Sequence, residues 1–160
     1  MNPNASLAPR DSLIPLGAQA PDFVLDTQTR GQTWRLSDHL KSGEAVLSFF
    51  PFAFTGVCTS EMQCITAELE RLGDRQAQAV GISGDSGPAL KAWADQLGLR
   101  HTLLSDAHRS VCRAYGLYWP ELNVAWRGTV VVGANGRVRW AQKRQIPAAF
   151  NPDELLAALA

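Results

Sequence analysis

The stretch EAVLSFFPF, residues 44–52, constrains the fold more than any other part of this chain. Its apolar residues do not alternate with polar ones, so the strand that they predict is buried on both faces. Such a strand belongs in the middle of a sheet that carries helices on both sides. After Gly56 the spacing of the apolar residues changes to that of a helix. The residues with this spacing are Met62, Ile65, Leu69 and Leu72. The chain therefore passes from a central strand directly into a helix.

Strands and helices alternate along the rest of the chain. DFVLDTQTRGQTWRLSD predicts two short strands around a glycine turn, followed by a brief helix with Ser37 as its N-cap. AQAVGIS and HTLLSD predict buried strands, and SGPALKAWADQLG and AHRSVCRAYG predict helices. GTVVVGANGRVRWAQ predicts a hairpin with its turn at Asn135 and Gly136, and NPDELLAALA predicts a last helix. This order favours an α/β fold with a central mixed β-sheet flanked by helices.

Size and charge exclude several classes of protein. The 160 residues predict one domain over 1–160, with a loosely held arm over residues 1–12. The 15 acidic and 15 basic residues leave no net charge to attract nucleic acid or an anionic membrane, and no apolar run is long enough for a membrane helix. An odd count of 3 cysteines, together with a start that lacks a signal peptide, predicts a cytoplasmic protein.

Cys58 lies where the predicted central strand ends and the helix begins. The free amide N–H groups of the first turn and the positive end of the helix dipole favour a thiolate there. Thr55 can cap the same turn, donate a hydrogen bond to the sulfur and accept one from a substrate. Pro51 ends the strand and can line a pocket without offering a backbone donor. Alternatively, Cys58 is a small buried hydrophobe, and position alone leaves both interpretations open.

The run PFAFTGVC resembles the P-x-x-x-T-x-x-C signature of the peroxiredoxins, with Pro51, Thr55 and Cys58 on the signature positions. LGAQAPDFVL, GISGDS, LLSD, AYGLY and WRGTVVVGANGRVRW follow the order and spacing of that family over roughly residues 13–159. FFPFAFTGVC, AYGLYW and AWRGTVVV are most similar to the alkyl hydroperoxide reductase E type.

The resemblance implies a thioredoxin-like fold and a homodimer. It also implies a peroxidase for antioxidant defence, which reduces hydrogen peroxide and organic hydroperoxides through a cysteine sulfenic acid. The implied reductant is a thioredoxin- or glutaredoxin-like protein or a low-molecular-weight thiol, and no cofactor or metal is implied.

Two charged residues enter the predicted site through the resemblance. Arg127 occupies the place of the family's arginine that faces the sulfur, where it would stabilise first the thiolate and then the charge developing on the peroxide oxygen. Glu61 would orient that arginine, although the helix dipole alone also favours a carboxylate on the first turn. Phe50 and Trp126 are interpreted as core packing.

The two remaining cysteines are predicted to differ in role. Cys64 stands six residues after Cys58, which separates the two Cα atoms by about 9 Å along an unbroken helix and turns them to largely opposite sides. A disulfide needs Cα atoms within about 7 Å. Cys64 is therefore either a buried bystander or a resolving cysteine that acts only after the helix unwinds. Cys112 is predicted to be a core residue.

The sequence leaves two other functions open. A thiol–disulfide oxidoreductase of thioredoxin type would share the fold, but it would need a second cysteine at position 61, where the chain has Glu61. A redox sensor or holdase would use the same reactive Cys58, and the sequence does not separate it from an enzyme. The histidines at 39, 101 and 108 show no metal-ligand spacing with the cysteines.

Overall fold

The computed structural model describes residues 1–145 and 151–159. Within these residues the strands are β1 Val24–Thr27, β2 Thr33–Arg35, β3 Glu44–Phe49, β4 Ala77–Ser83, β5 Thr102–Ser105, β6 Tyr118–Trp119, β7 Val124–Ala125, β8 Gly128–Val132 and β9 Val138–Lys143. The helices are α1 Leu36–His39, α2 Gly56–Ala67, α3 Leu69–Asp74, α4 Gly87–Leu97, α5 Ser110–Ala114 and α6 Pro152–Ala158, and a 3-10 turn spans Leu40–Ser42. None of the helices in this part of the chain has the length and apolar character needed to cross a membrane.

The main sheet is mixed and has β3 near its centre. Its strand order is β2-β1-β5-β4-β3-β8-β9. β3 runs parallel to β4 and antiparallel to β8, and β4 runs parallel to β5. The stretch at residues 44–52 is therefore the central strand that its apolar run predicted, and the prediction of a mixed sheet flanked by helices is confirmed.

Side chains of β3 alternate between two apolar clusters, one on each face of the sheet. Leu47 and Phe49 belong to the cluster that α1 and α5 cover. Val46 and the following Phe50 belong to the cluster that α2, α4 and α6 cover. Both faces are buried, which explains why this strand carries no polar alternation. Cys58 packs within the second cluster.

Several of the predicted element ends are confirmed. Helix α4 starts after Ser86, whose hydroxyl accepts from the amide of Ala89 at 3.3 Å, and ends at Gly98 in the left-handed conformation. Helix α6 is capped by the side chain of Asn151; the last residue of the run that predicted it, Ala160, lies outside the described residues. The hairpin β8–β9 turns through Gly136, whose φ of +82° a residue with a side chain rarely adopts.

Other local predictions are wrong. Ser37 is not an N-cap, because α1 starts one residue earlier at Leu36. The Ser37 amide and hydroxyl instead donate to the carboxylate of Asp22 at 2.9 and 3.0 Å. The residues from Met62 to Leu72 were predicted to lie on one helix, but they lie on two, α2 and α3, with Glu68 between them. The short pair β6–β7 was not predicted.

The structure also corrects the expectation of a loosely held arm over residues 1–12. The Asn4 side chain is buried and bonds both backbone groups of Val24, donating to the carbonyl at 2.8 Å and accepting from the amide at 3.1 Å. The amide of Arg10 donates to the carbonyl of Arg113 at 2.9 Å. The segment is docked because its polar groups satisfy backbone groups of the domain.

Candidate active site

The strand-to-helix transition places Cys58 in the first turn of α2. β3 ends at Phe49, the Phe50 amide still donates to the carbonyl of Ile82 at 3.0 Å, and residues 51–55 form the loop into the helix. The Thr59 amide donates to the carbonyl of Thr55 at 2.9 Å, so the Cys58 amide stands at the open, positive end of the helix. The Cys58 side chain is fully buried. Its sulfur is thus buried at the helix start that the sequence predicted.

Strand register brings Arg127 to this sulfur. Gly128 of β8 pairs with Phe49 of β3, so the residue before β8 lies beside the end of the central strand. Arg127 Nη2 donates to Cys58 Sγ at 3.3 Å, and Nη1 donates to Glu61 Oε2 at 2.6 Å. The arginine and the glutamate side chains are 2% and 0% exposed. The two charged residues that the resemblance suggested are thus in contact with each other, and Arg127 also contacts Cys58.

Burial alone would lower the pKa of the Arg127 guanidinium. Its hydrogen bond to Glu61 and the attraction of the Cys58 sulfur and the Glu61 carboxylate outweigh burial, and the pKa is raised. The guanidinium therefore stays charged at every pH at which a protein functions.

Arg144, just after β9, is a site residue that the sequence reasoning missed. Its Nη2 donates to Glu61 Oε1 at 2.5 Å, and its Nη1 donates to Thr129 Oγ1 at 3.0 Å. Its backbone amide donates to the Arg127 carbonyl at 2.8 Å. Burial lowers the pKa of Arg144, and the attraction of Glu61 offsets only part of this.

Glu61 therefore bridges two arginines, one through each oxygen. Arg127 is the guanidinium that also contacts the Cys58 sulfur, and Arg144 is linked to that sulfur through Glu61 and Arg127. The arrangement therefore fixes a positive charge at hydrogen-bond distance from the sulfur.

Thr55 and Pro51 border the same site but make other contacts than those expected. Thr55 occupies the N-cap position of α2, yet its side chain makes no capping bond. Its hydroxyl donates instead to the Phe52 carbonyl at 2.9 Å and is exposed. The expected bond from this hydroxyl to the Cys58 sulfur is therefore absent among the described residues, while the oxygen remains able to accept from a ligand. Pro51 is buried and follows Phe50, the first residue after β3.

Cys64 lies on the same continuous helix as Cys58 and is partly exposed. Burial, followed by the carboxylates of Glu68, Glu61 and Asp153, raises the pKa of its thiol. At six residues on an intact helix the two cysteines are too far apart along the axis for a disulfide.

Cys112 is buried in the core, as predicted, and its sulfur donates to the Arg109 carbonyl at 3.3 Å. Burial and the neighbouring Asp106 raise the pKa of this thiol.

The two aromatic candidates make packing contacts. Phe50 is in the core, and Trp126 stacks on Trp119 with ring centroids 4.7 Å apart. No group of histidine, cysteine or carboxylate side chains among residues 1–145 and 151–159 could hold a metal ion.

A model of the AhpC/TSA family matches residues 16–141. The chain belongs to the AhpC/TSA family. It is 36% identical over 135 residues to alkyl hydroperoxide reductase E of Mycobacterium tuberculosis, covering 83% of this chain and 88% of that protein. It is 32% identical over 146 residues to peroxiredoxin TSA1 of Saccharomyces cerevisiae, covering 86% and 74%.

Solved structures of family members confirm the thioredoxin-like fold. Peroxidoxin BcpB of Mycobacterium tuberculosis superposes with a TM-score of 0.82 at 30% identity, covering 90% of this chain and 95% of that one. The reduced 2-Cys peroxiredoxin of Plasmodium vivax superposes with a TM-score of 0.84 at 26% identity, covering 90% and 79%. This family member therefore has the fold that its strand-to-helix motif and its resemblance predicted.

Proposed function

We propose that the protein is a thiol-dependent peroxidase that reduces hydrogen peroxide and organic hydroperoxides, with Cys58 as the nucleophile. The observation that carries the proposal is the 3.3 Å contact from Arg127 Nη2 to Cys58 Sγ at the start of α2. Membership of the AhpC/TSA family and likeness to proteins named as peroxiredoxins and alkyl hydroperoxide reductases support the same reaction.

The first step is attack of the Cys58 thiolate on the terminal oxygen of the peroxide. An S–O bond forms as the O–O bond breaks, the sulfur becomes a sulfenic acid, and the leaving oxygen takes a proton to give water or an alcohol. Negative charge moves from sulfur to oxygen during this step. Arg127 contacts the sulfur and is placed to stabilise the charge as it moves.

The neighbouring residues have supporting roles in this proposal. Thr55 accepts a hydrogen bond from the peroxide, since its own proton is directed to the Phe52 carbonyl. Pro51 lines the pocket and adds no backbone donor. Glu61 positions Arg127 through one carboxylate oxygen and forms an ion pair with Arg144 through the other.

The second step returns the sulfenic acid to the thiol. A thiolate of the reductant attacks the oxidised sulfur, an S–S bond forms and water leaves; a second thiol then releases Cys58. The proposed reductant is a thioredoxin- or glutaredoxin-like protein or a low-molecular-weight thiol. Cys64 would supply the first thiol only if α2 unwinds, and otherwise it is a bystander. We propose, on the family resemblance, a cytoplasmic homodimer that serves antioxidant defence.

Two alternatives use the same cysteine. A thioredoxin-type oxidoreductase is disfavoured because position 61 holds a glutamate bound to two arginines rather than a second cysteine. A redox sensor would be oxidised at Cys58 once, without repeated turnover.

The test is a steady-state assay of peroxide consumption with a thiol reductant, using hydrogen peroxide and an organic hydroperoxide. We expect multiple turnovers for the wild-type protein, loss of activity for Cys58→Ser, and near wild-type activity for the matched variant Cys112→Ser. An active Cys58→Ser variant would refute the mechanism, and a single stoichiometric oxidation without turnover would identify a sensor instead.

A further inference from the structure

The loop 51–55 that leads from β3 into α2 has an unfavourable backbone. Phe54 adopts a φ of +64°, a left-handed conformation that residues with a side chain seldom occupy. Its ring is 55% exposed and lies 6.2 Å from the ring of Trp93, so core packing alone does not explain the conformation. Strained backbone persists where surrounding contacts hold it in place. This loop carries Pro51 and Thr55, so whatever holds it also sets the shape of the site.

A carboxylate beyond the end of β4 holds the middle of the loop. The Ala53 amide donates to Asp85 Oδ2 at 2.9 Å. The same oxygen accepts from the Ser83 hydroxyl at 2.6 Å, and the Asp85 amide donates back to the Ser83 hydroxyl oxygen at 3.2 Å. The Ser105 hydroxyl donates to the Asp85 carbonyl at 2.7 Å. Asp85 is thus itself fixed to the ends of β4 and β5.

We infer that Asp85 is a positioning residue for the peroxide site, acting through the Ala53 amide on the loop that presents Pro51 and Thr55 to Cys58. The inference rests on the proposed peroxidase function. Ala53 is buried, so little water competes with Asp85 for its amide, and loss of the acceptor would leave that amide without a partner. The loop residue next to Ala53 is the strained Phe54, which would relax if this bond were lost.

The role belongs to the acceptor oxygen rather than to the charge. Both bonds to the Asp85 side chain reach a single oxygen, Oδ2, and an asparagine side chain also offers one carbonyl oxygen. Asp85→Asn should therefore keep the loop in place, whereas Asp85→Ala should release it. Misplacement of a reacting group by about 1 Å costs on the order of a hundredfold in rate, so Asp85→Ala should slow oxidation by about tenfold to a hundredfold.

The experiment compares two reactions of the same sulfur in the reduced protein. Oxidation of Cys58 by hydrogen peroxide needs the pocket, whereas alkylation by iodoacetamide needs the thiolate but not the peroxide-binding groups. We expect Asp85→Ala to lower the second-order rate constant for peroxide and to change that for iodoacetamide by less than about twofold, since the helix start and Arg127 still act on the sulfur. Asp85→Asn should restore the ratio of the two rate constants.

Asp22→Ala is the matched control. Asp22 also accepts one backbone amide and one serine hydroxyl, both from Ser37, and it forms an exposed ion pair with Arg35, ahead of β1 at the far side of the sheet from β8. Its loss should lower the melting temperature without changing the ratio of rate constants. Should Asp85→Ala not fold, Asp85→Glu keeps the charge but shifts the acceptor by one methylene, and we expect it to lower the ratio too.

Each other outcome overturns the inference. A wild-type peroxide rate in Asp85→Ala would show that the loop does not depend on this bond. Equal losses in both reactions, or the same change of ratio in Asp22→Ala, would make Asp85 a general stability residue. A defect in Asp85→Asn as large as that in Asp85→Ala would show that charge, not the acceptor, matters. Failure of the wild-type protein to consume peroxide would instead reject the proposed function.

Discussion

His101 should make the stability of this protein depend on pH. His101 lies in the segment that connects α4 to β5, and it is almost fully buried. Its Nδ1 is 2.7 Å from Thr66 Oγ1 and its Nε2 is 3.3 Å from Met62 Sδ. These two partners are one turn apart on α2, the helix that carries Cys58. Burial lowers the pKa of His101 to about 4.

The sign and size of the effect follow from this lowered pKa. An unfolded chain binds a proton at this histidine below about pH 6.5, whereas the folded protein binds it only near pH 4. The stabilisation is therefore fully present above pH 6.5 and is lost as the pH falls towards 4. A difference of about 2.5 pH units at about 1.4 kcal/mol per unit predicts a loss of about 3 kcal/mol in the free energy of unfolding.

Urea unfolding at pH 7, 6, 5 and 4 tests this prediction, because the difference between wild type and His101→Gln removes the contribution of all other titrating groups. Glutamine can hydrogen-bond Thr66 but does not titrate. We expect wild type to lose about 3 kcal/mol more than His101→Gln between pH 7 and 4. His108→Gln, a change at an exposed histidine, should follow the wild-type profile. Parallel profiles for wild type and His101→Gln would refute the reasoning.

Three further predictions concern the groups around Cys58. Arg127→Gln should slow the oxidation of Cys58 by hydrogen peroxide by about a hundredfold to a thousandfold, and an unchanged rate in stopped-flow measurements would contradict its role. Arg144→Met should lower the free energy of unfolding by about 1 to 3 kcal/mol in urea titrations, since one oxygen of the buried Glu61 loses its donor while the other keeps Arg127; an unchanged free energy would contradict this. If Cys64 resolves, one equivalent of peroxide should give a Cys58–Cys64 disulfide, detected as a loss of two hydrogens in the intact mass. Equal dimedone labelling and overoxidation in wild type and Cys64→Ser would make Cys64 a bystander.

Local spacing predicted part of the site. Thr55 and Cys58 stand three residues apart around a helix start, so their proximity depends only on the first turn of α2. Glu61 follows after three more residues, and its place in the site was predicted through the family resemblance. Arg127 is 69 residues beyond Cys58, and it was predicted through the family resemblance rather than through spacing.

Arg144 was not predicted because its place depends on strand register. The hairpin turn at Asn135 and Gly136 could be recognised, but a bulge between Val131 and Val132 shifts the pairing of β8 with β9. The shifted register pairs Gly128 with Lys143, which sets Arg144, the residue after β9, beside Arg127. A bulge adds one residue to one strand, so a count from the turn alone gives the wrong partner.

The docked N-terminal segment was missed for a similar reason. The hydrogen bonds of Asn4 reach Val24, which is 20 residues away. The composition of the N-terminal segment resembles that of a loose terminus. Ser37 was misplaced because Asp22, 15 residues earlier, offers its amide and hydroxyl a stronger acceptor than the helix end does.

The contacts of α2 bear on which thiol reduces the oxidised Cys58. A disulfide with Cys64 requires the turns between the two cysteines to unwind. Those turns carry Glu61, which both arginines bind, and Met62, which His101 contacts. Breaking a buried ion pair costs about 3 to 5 kcal/mol, and unwinding would break two. An external thiol needs only Cys58 to become accessible, which moves the first turn and can leave Glu61 in place. We therefore expect reduction by an external thiol to be faster than formation of the Cys58–Cys64 disulfide.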